Sequence, residues 1–291
     1  MNANDNHPAR GQAALGAASI EAWSGKDRGD ENFPVGSLLI AQHLRPHVHA
    51  YYAFARNADD IADSPQLSPA DKIARLNAME TALHSGNAAG APSAAHLRAS
   101  LAQSGVRDIH ARELLIAFRQ DAQKTRYANW AELMHYCRYS AAPVGRYLLD
   151  LHGETTATWP ASDALCAALQ VLNHLQDCAG DLRTLDRCYI PQDWLKEQGL
   201  TTDDLARPQT SPALRAVFDR MLDETDKLNA LAATLPGQIK NRRMRIEAAV
   251  IVRLARRLAA KLRAGDPLAR RVKLSKLDFA AATLGGLRFA A

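Results

Sequence analysis

Residues 52–63 read YAFARNADDIAD, and this stretch decides the fold prediction. Successive residues of an α-helix are about 100° apart around its axis. One face of such a helix would therefore carry an aromatic ring, a guanidinium group and two carboxylates: Tyr52, Arg56, Asp59 and Asp63. Two carboxylates one turn apart repel each other and disfavour the helix slightly. Because the sequence keeps them there, it predicts that a cation binds between them.

A second stretch, residues 170–181, reads QVLNHLQDCAGD and has the same character. One face of the predicted helix carries only amide and carboxylate side chains: Gln170, Asn173, Asp177 and Asp181. Leucines flank this face, so it is expected to line an enclosed space. A single pair of aspartates at helical spacing is typical of a solvated surface, but two such stripes in apolar helices favour a binding site.

The chemistry of these side chains predicts the ligand. Oxygen-only ligand sets select hard cations such as Mg²⁺. Proteins usually hold Mg²⁺ with one or two carboxylates and complete its shell with water and substrate phosphates. Two facing stripes of this kind therefore predict a diphosphate that is held between the helices on Mg²⁺.

The rest of the chain agrees with an all-α protein. The 291 residues are 47% hydrophobic and 23% charged, which suits one large domain. The pattern predicts no strands, a loop around residues 186–194, and helices near residues 46–63, 69–85, 93–103, 108–123, 130–152, 161–183, 211–234 and 239–264, with a shorter one after Asp278. We expect a single-domain helical bundle around a central apolar cavity, formed by residues 29–291 and preceded by a flexible tail, residues 1–28.

Localisation is predicted from what the sequence lacks. No apolar segment approaches the roughly 20 residues that cross a bilayer, and the N-terminus has no secretory layout. We therefore expect a cytoplasmic protein. The net charge of +5 suits an anionic ligand or a membrane surface, and no motif for nucleic acid is present. The helix near residues 239–264 has a basic face, which is usually solvated but is compatible with peripheral contact at the inner face of a membrane.

The two aspartate stretches resemble the two aspartate-rich motifs of the squalene/phytoene synthase family, the head-to-head isoprenoid synthases. They occur in the family's order, about 118 residues apart. Between them, residues 121–148 (DAQKTRYANWAELMHYCRYSAAPVGRYL) resemble the family's central helix. The resemblance covers nearly the whole chain, from about Phe33 to Arg270. It implies the isoprenoid-synthase type of helical bundle and an isoprenoid diphosphate substrate.

Carried over by position, the resemblance implies roles for individual side chains. It implies two or three Mg²⁺ ions bound with the substrate diphosphate by Asp59, Asp63, Asp177 and Asp181, with Asp60 as a weaker candidate. It implies catalytic contacts near the reacting centre from Tyr136 and Gln170, and it implies that Asn173 helps Asp177 and Asp181 to hold the metal. It implies substrate contacts from Phe33, Tyr52, Arg56, Arg187 and Tyr189.

Within the family, the strings DENFPVGS, RNADDIAD and SAAPVGR resemble the bacterial hopanoid-pathway branch, the hydroxysqualene synthases. Members of that branch ionise presqualene diphosphate and let water capture the rearranged cation. The resemblance therefore implies that NADPH is not needed. It also implies a hand-off with a presqualene diphosphate synthase and a flavoprotein reductase. Ser140 is polar where relatives carry an apolar residue, so Ser140, or Tyr136 one turn earlier, is the candidate for positioning the water.

Four interpretations stay open in the sequence. The chain could instead condense two farnesyl or geranylgeranyl diphosphates head to head. It could be a silent relative that acts as an assembly or binding protein, although such relatives usually lose the aspartates. Asp121 is followed by Lys124 and Arg126, so it is interpreted either as part of a loop salt bridge or as a diphosphate contact. His174 is interpreted as a packed side chain, because it points off the stripe.

Overall fold

Helices account for most of the chain. The computed structural model describes residues 20–21, 40–86 and 90–290. Within these ranges it contains no β-strand, and the all-α prediction is confirmed. The helices are α1 (Arg45–Asp63), α2 (Pro69–Ser85), α3 (Pro92–Ser104), α4 (Ile109–Asp121), α5 (Trp130–Ser140), α6 (Ala142–Leu151), α7 (Trp159–Leu185), α8 (Gln192–Glu197), α9 (Pro212–Ala232), α10 (Leu235–Gln238), α11 (Arg242–Ala264) and α12 (Lys276–Gly286).

Local signals explain most of the helix boundaries. Pro46 lies in the first turn of α1, where its missing N–H has no partner to lose. The side chain of Ser68 caps α2 by accepting a hydrogen bond from the backbone N–H of Asp71. Gly86 ends the same helix with φ of 78°, a left-handed conformation that glycine adopts without steric cost. Asn129 caps α5 through the N–H of Glu132 at 3.0 Å.

The prediction of one continuous helix over residues 130–152 is wrong. The helix stops at Ser140 and a new one begins at Ala142, with Ala141 between them at φ −124° and ψ −47°. Pro143 causes the break, because its ring has no N–H to donate and would clash with the carbonyl group one turn earlier. The same proline is well placed in the first turn of α6.

Two further predicted boundaries need correction. The region predicted as a loop around residues 186–194 contains the start of α8, which begins at Gln192. The last helix begins at Lys276, before Asp278, because Ser275 and Asp278 form a reciprocal capping box. The predicted tail, its boundary with the helical domain, and Phe33 lie outside the described residues.

The helices pack around a long central helix. α7 runs for 27 residues and packs against α5, α6, α9 and α11. α1 packs against α2, α3 and α4 on the other side of the molecule. Each group has its own hydrophobic core, and α6 contributes to both of them. No helix in the described ranges has the length and apolar character required to cross a bilayer.

Candidate functional site

An apolar cavity lies between the two groups of helices. Its volume is about 250 Å³, and its walls come mainly from α1, α6, α7 and α11. Most of the lining is aliphatic, including Val48, Ala55, Leu165, Leu169 and Ile251. The predicted central apolar cavity is therefore present. An enclosed apolar space of this kind keeps bulk water away from whatever it binds.

The carboxylates follow the cavity along both aspartate helices. Asp59 comes one turn after Ala55 on α1, and Asn173 comes one turn after Leu169 on α7. One turn advances about 5.4 Å along a helix. Both helices therefore run from the cavity wall towards their carboxylates, and the carboxylates lie beyond one end of the cavity, at its mouth. The side chains of both stripes are half-buried, whereas most of their neighbours on the two helices are buried.

The two stripes act on each other electrostatically. Limited access to water, and then the charges of Asp177 and Asp63, raise the pKa of Asp181 to about 7. Limited access to water and the charge of Asp63 likewise raise the pKa of Asp59 to about 8. Because Asp63 lies on α1 and Asp181 lies on α7, these effects place the two carboxylate stripes in one shared site.

Asp59 and Asp60 have different surroundings although they are adjacent. The side chain of Asp59 is 34% exposed to solvent, whereas that of Asp60 is 5% exposed. Arg56 contacts both carboxylates, at 3.2 Å from Asp59 and 3.1 Å from Asp60. Asp59 therefore has access to the mouth, while the carboxylate of Asp60 is enclosed by protein.

Arg187 ties Asp63 to the protein core. Its guanidinium group donates to the carboxylate of Asp63 at 2.5 Å and to the backbone carbonyls of Ala62 at 3.2 Å and Asp121 at 3.1 Å. The side chain is only 7% exposed. Arg187 directly follows Asp186, which ends α7 in a left-handed backbone conformation with φ of 50°. This turn at the end of α7 sets the position of Arg187. The ends of α1, α4 and α7 therefore meet at one buried cation.

Arg271, in the segment after α11, pairs with Asp177. Its Nε and Nη2 atoms lie 2.6 and 2.8 Å from the two carboxylate oxygens of Asp177. The neighbouring Gln176 donates to the carbonyl of Val272 at 2.5 Å, so the segment after α11 is fixed against α7. Both side chains of the ion pair remain about a third exposed, at 39% and 33%.

A cluster of aromatic rings lies beside the mouth. The hydroxyl group of Tyr136 donates to the carboxylate of Asp121 at 2.8 Å, and the ring of Tyr136 packs near that of Tyr189. His174 stacks on Tyr189 with ring centres 3.5 Å apart. Burial lowers the pKa of His174 to about 3, so it is a neutral, packed side chain as expected.

Asp121 belongs to this cluster rather than to a loop salt bridge. Lys124 and Arg126 pair with Glu132 and Asp186 instead. Burial raises the pKa of Asp121 to about 7, against the opposing effect of Arg187 and the hydrogen bond from Tyr136. The end of α4 therefore contributes a carboxyl group to the wall beside the mouth.

The remaining predicted positions fall into two places. Tyr52 lines the cavity, and Gln170 and Asn173 lie on the half-buried face of α7 between the cavity and Asp177. Ser140 is at the end of α5, outside the cavity lining described above. Its hydroxyl group is buried and makes no hydrogen bond to any described residue. The structure thus brings the predicted positions together around the mouth and the cavity, with three exceptions: Asp60, whose carboxylate is enclosed by protein beside Arg56, Ser140, and Phe33, which is not described.

The side chains at the mouth offer carboxylate and amide oxygens, the ligand types that suit Mg²⁺. Among the described residues, no three His, Cys, Asp or Glu side chains enclose an ion by themselves. The stripes offer pairs of carboxylate oxygens that crowd one another. Mg²⁺ keeps several waters and takes phosphate oxygens as ligands. The residues present therefore fit Mg²⁺ that is held jointly with a diphosphate group.

Three side chains at this site were missed by the sequence analysis: Arg271, Glu247 and Tyr51. Nothing in the sequence links Arg271 to Asp177, because the contact joins segments 94 residues apart. Glu247 did leave a signal, since it interrupts the aliphatic face of the helix predicted over residues 239–264. Tyr51 was not predicted, because the helical spacing from the aspartates selected Tyr52. Both side chains line the cavity.

The fold and the site together define a class of protein. It is an all-helical protein with a carboxylate-rich mouth at one end of an apolar cavity. Such a site suits a ligand with a strongly anionic head and a long apolar body.

Comparison with known proteins agrees with this class. The model of the squalene/phytoene synthase family matches residues 26–278. The hydroxysqualene synthase of Rhodopseudomonas palustris is 45% identical over 93% of this chain and 92% of its own. That of Zymomonas mobilis is 45% identical over 91% and 89%. The chain therefore belongs to the squalene/phytoene synthase family and is an enzyme of isoprenoid biosynthesis.

Solved structures show the same fold. The squalene synthase HpnC from Alicyclobacillus acidocaldarius superposes with a TM-score of 0.72 at 32% identity, covering 81% of this chain and 90% of that one. A dehydrosqualene synthase solved with a ligand superposes with a TM-score of 0.76 at 21% identity, over 89% and 92%. At 21% identity, the similarity to the dehydrosqualene synthase concerns the fold alone.

Proposed function

We propose that the protein converts presqualene diphosphate into hydroxysqualene and diphosphate, a step in squalene and hopanoid biosynthesis. The supporting observation is the convergence of two carboxylate stripes at the mouth of an apolar cavity, in a chain that is 45% identical to proteins named hydroxysqualene synthase. The anionic head of the substrate would lie at the mouth, and its hydrocarbon body would lie in the cavity.

In this proposal two or three Mg²⁺ ions bind with the diphosphate. Asp59 and Asp63 of α1 and Asp177 and Asp181 of α7 would hold them, and Asp60 would support them through Arg56. When bound, the ions neutralise the charge that develops on the departing diphosphate. The four carboxylates thus provide the negative charge that retains the ions.

The other side chains at the mouth orient the substrate. Arg56 and Arg187 carry fixed positive charges beside the metal-binding carboxylates, so they would guide diphosphate oxygens. Gln170 would contact the reacting centre between mouth and cavity, and Asn173 would help Asp177 and Asp181 to hold the metal. Tyr52, Tyr136 and Tyr189 would surround the point where the carbon–oxygen bond breaks. The aliphatic cavity would then protect the cation from bulk water.

No reductant enters this reaction, so NADPH is not expected. The product is an alcohol, which a separate flavoprotein reductase would reduce, and the substrate would come from a presqualene diphosphate synthase. Both hand-offs involve large apolar molecules. We therefore also propose that the protein contacts the inner face of a membrane peripherally.

The surface proposed for membrane contact is on α12 rather than on the basic face of α11. Basic side chains of α11 are partly neutralised, since Arg257 pairs with Asp278 of α12 and Arg263 pairs with aspartates of α9. The C-terminal segment instead exposes three leucines: Leu277 at 81%, Leu284 at 70% and Leu287 at 50%. The same segment carries the exposed cations Lys273, Lys276 and Arg288. Apolar side chains bordered by cations suit an anionic lipid surface.

The proposed reaction is tested by product identification. Purified protein with Mg²⁺ and without NADPH is incubated with presqualene diphosphate in one reaction and with farnesyl diphosphate in another, and products are identified by mass spectrometry. Hydroxysqualene from the first reaction alone is the expected result. Consumption of farnesyl diphosphate would instead identify a condensing synthase. No product in either reaction would contradict the proposal.

A further inference from the structure

A lysine side chain continues the buried face of α2. Leu76, Met79 and Leu83 are 0%, 0% and 2% exposed and share one face of this helix, which packs against α1, α3 and α4. Lys72 precedes Leu76 by one turn, so helical geometry places it on the same face. The residue is half-buried. Lys72 therefore points towards the helices that α2 packs against rather than straight into solvent.

The start of α2 lies beside the last turn of α1. Only residues 64–68 link the two packed helices, which brings Lys72 close to Asp63. Burial and the charge of Arg187 lower the pKa of Lys72, whereas the charges of Asp63 and Asp121 oppose the decrease. The charge of Lys72 acts in return on Asp121. The ammonium group therefore belongs to the charged cluster where the ends of α1, α4 and α7 meet.

The carboxylates of this cluster are already paired with other side chains. Arg187 pairs with Asp63, and the hydroxyl group of Tyr136 donates to Asp121 at 2.8 Å. Within the described ranges, the ammonium group of Lys72 forms neither a hydrogen bond nor an ion pair. Partial burial of a cation without an ion-pair partner costs solvation free energy. Its placement on the inner face of α2 therefore indicates an anionic ligand.

The position of Lys72 relative to the cavity indicates which part of the ligand it meets. α1 runs from the cavity wall at Ala55 past Asp59 to Asp63, and the start of α2 lies beyond Asp63. A substrate with its hydrocarbon body in the cavity would hold the phosphate that is bonded to carbon nearer the cavity and the terminal phosphate farther out. Lys72 is therefore at the outer end of the mouth, beside the terminal phosphate.

We propose that Lys72 binds the terminal phosphate of the substrate diphosphate at the outer end of the mouth. The inference rests on the proposed function, because it assigns a further binding residue to the head group in that reaction. A lysine ammonium group carries three N–H donors on a flexible stem, so it reaches a phosphate oxygen without a movement of α2. Arg187 is fixed by Asp63 and by two backbone carbonyls.

Lys72 acts on substrate binding more than on bond cleavage. The terminal phosphate is charged before the carbon–oxygen bond breaks, whereas the new charge develops on the inner phosphate. The lysine therefore interacts similarly with the substrate, the transition state and the diphosphate product. An interaction of this kind lowers KM and leaves kcat nearly constant. Without diphosphate, the same ammonium group repels a cation that binds at Asp63.

The experiment compares Lys72→Met with Lys72→Arg, which keeps the charge, and with Lys124→Met. Lys124 is the matched control, since its side chain is 33% exposed and already pairs with Glu132. Calorimetric titrations with Mg²⁺ alone, and with Mg²⁺ and inorganic diphosphate, measure binding without turnover. Diphosphate release from presqualene diphosphate gives KM and kcat. Presqualene monophosphate, which has no terminal phosphate, is tested as a competitive inhibitor. Circular dichroism verifies that each variant is folded.

We expect Lys72→Met to weaken the binding of inorganic diphosphate with Mg²⁺ about tenfold, as loss of a charge-assisted hydrogen bond does. KM should rise by a similar factor, with kcat within about threefold of wild type. Inhibition by presqualene monophosphate should not change, and Mg²⁺ alone should bind at least as tightly as in wild type. Lys72→Arg should recover most of the diphosphate affinity, and Lys124→Met should match wild type.

Three outcomes would overturn the lysine site: wild-type affinity of Lys72→Met for diphosphate, an equal loss in Lys124→Met, or an equal loss of affinity for Mg²⁺ alone. The last would show that Lys72 acts through the geometry of Asp63. The proposed function fails in a different way, if wild-type protein binds Mg²⁺ with inorganic diphosphate but releases none from presqualene diphosphate. The titrations still decide the lysine site in that case, because they do not depend on turnover.

Discussion

The two aspartate helices present similar carboxylates to the mouth, but the protein holds them differently. On α1, Asp63 is paired with Arg187, which is 7% exposed and also bonds two backbone carbonyls. On α7, Asp177 is paired with Arg271, which is 39% exposed and comes from the segment after α11. A buried, multiply bonded cation fixes its partner, whereas a solvent-exposed ion pair is weak and exchanges readily. The α1 side is therefore preorganised, and the α7 side is the one that can adjust when metal and substrate bind.

The largest expected effect is on the chemical step. Replacement of Asp63 or Asp181 by asparagine should lower the rate of diphosphate release by about a thousandfold, because each removes charge that would hold Mg²⁺. Asp60→Asn should cost far less, about tenfold, because the carboxylate of Asp60 faces Arg56 rather than the mouth. The measurement is steady-state diphosphate release with saturating Mg²⁺. Equal losses in all three variants would remove the distinction between Asp60 and the carboxylates at the mouth.

The second prediction compares the two arginines in stability. Arg187→Met should lower the free energy of unfolding by about 3–5 kcal/mol, because it leaves Asp63 and two buried carbonyl groups without their partner. Arg271→Met should change it by less than about 1 kcal/mol, since both members of that pair are partly exposed. Urea unfolding monitored by circular dichroism measures both. A destabilisation by Arg271→Met as large as that by Arg187→Met would contradict the comparison.

The same pair of variants should differ in metal binding. Mg²⁺ that binds at Asp177 displaces Arg271, so Arg271→Met should tighten Mg²⁺ binding in the absence of substrate, by about threefold to tenfold. Calorimetric titration with Mg²⁺ and inorganic diphosphate measures the change. Weaker binding in this variant would show instead that Arg271 assists the ligand.

The third effect is a dependence of stability on pH. The pKa of Asp59 is raised to about 8 and that of Asp181 to about 7 in the folded protein, against about 3.9 for an unfolded aspartate. Between about pH 4 and pH 8 the folded state therefore binds more protons than the unfolded state, so its stability falls as the pH rises. Mg²⁺ with diphosphate should reduce this fall, because it replaces the protons. Thermal unfolding of the metal-free protein over that range, repeated with both ligands, tests the sign, and a rising midpoint would contradict it.

The smallest expected effect concerns α12. Leu277→Ser combined with Leu284→Ser should lower the fraction of protein that sediments with vesicles of anionic lipid by severalfold, and should leave diphosphate release from presqualene diphosphate unchanged. Vesicles of zwitterionic lipid are the control. Equal sedimentation of the variant and the wild type would remove α12 as the membrane contact.

The sequence predicted the parts of the site that repeat along one helix. Asp59 and Asp63, or Asp177 and Asp181, lie on one face because helical geometry alone places them there. It did not predict the parts that depend on tertiary packing. The contact of Arg271 with Asp177 joins two distant segments, and the position of Tyr51 depends on the stack with Tyr147.

Apolar periodicity was overridden by local chemistry in one place. The apolar pattern of residues 130–152 continues through Ala141, so periodicity alone favoured one helix, but Pro143 breaks it. Glu247 is a second exception, because this one charged residue interrupts the aliphatic face of α11 where that face lines the cavity. Attention to single exceptions in an otherwise regular pattern would have found both.

The central claim is most directly tested by competition between substrates. Wild-type protein with Mg²⁺ and without NADPH receives presqualene diphosphate and farnesyl diphosphate together at equal concentration, and the consumption of each is followed by mass spectrometry. The account predicts that presqualene diphosphate is consumed at least about a hundredfold faster, with hydroxysqualene as the product. Preferential consumption of farnesyl diphosphate would contradict it.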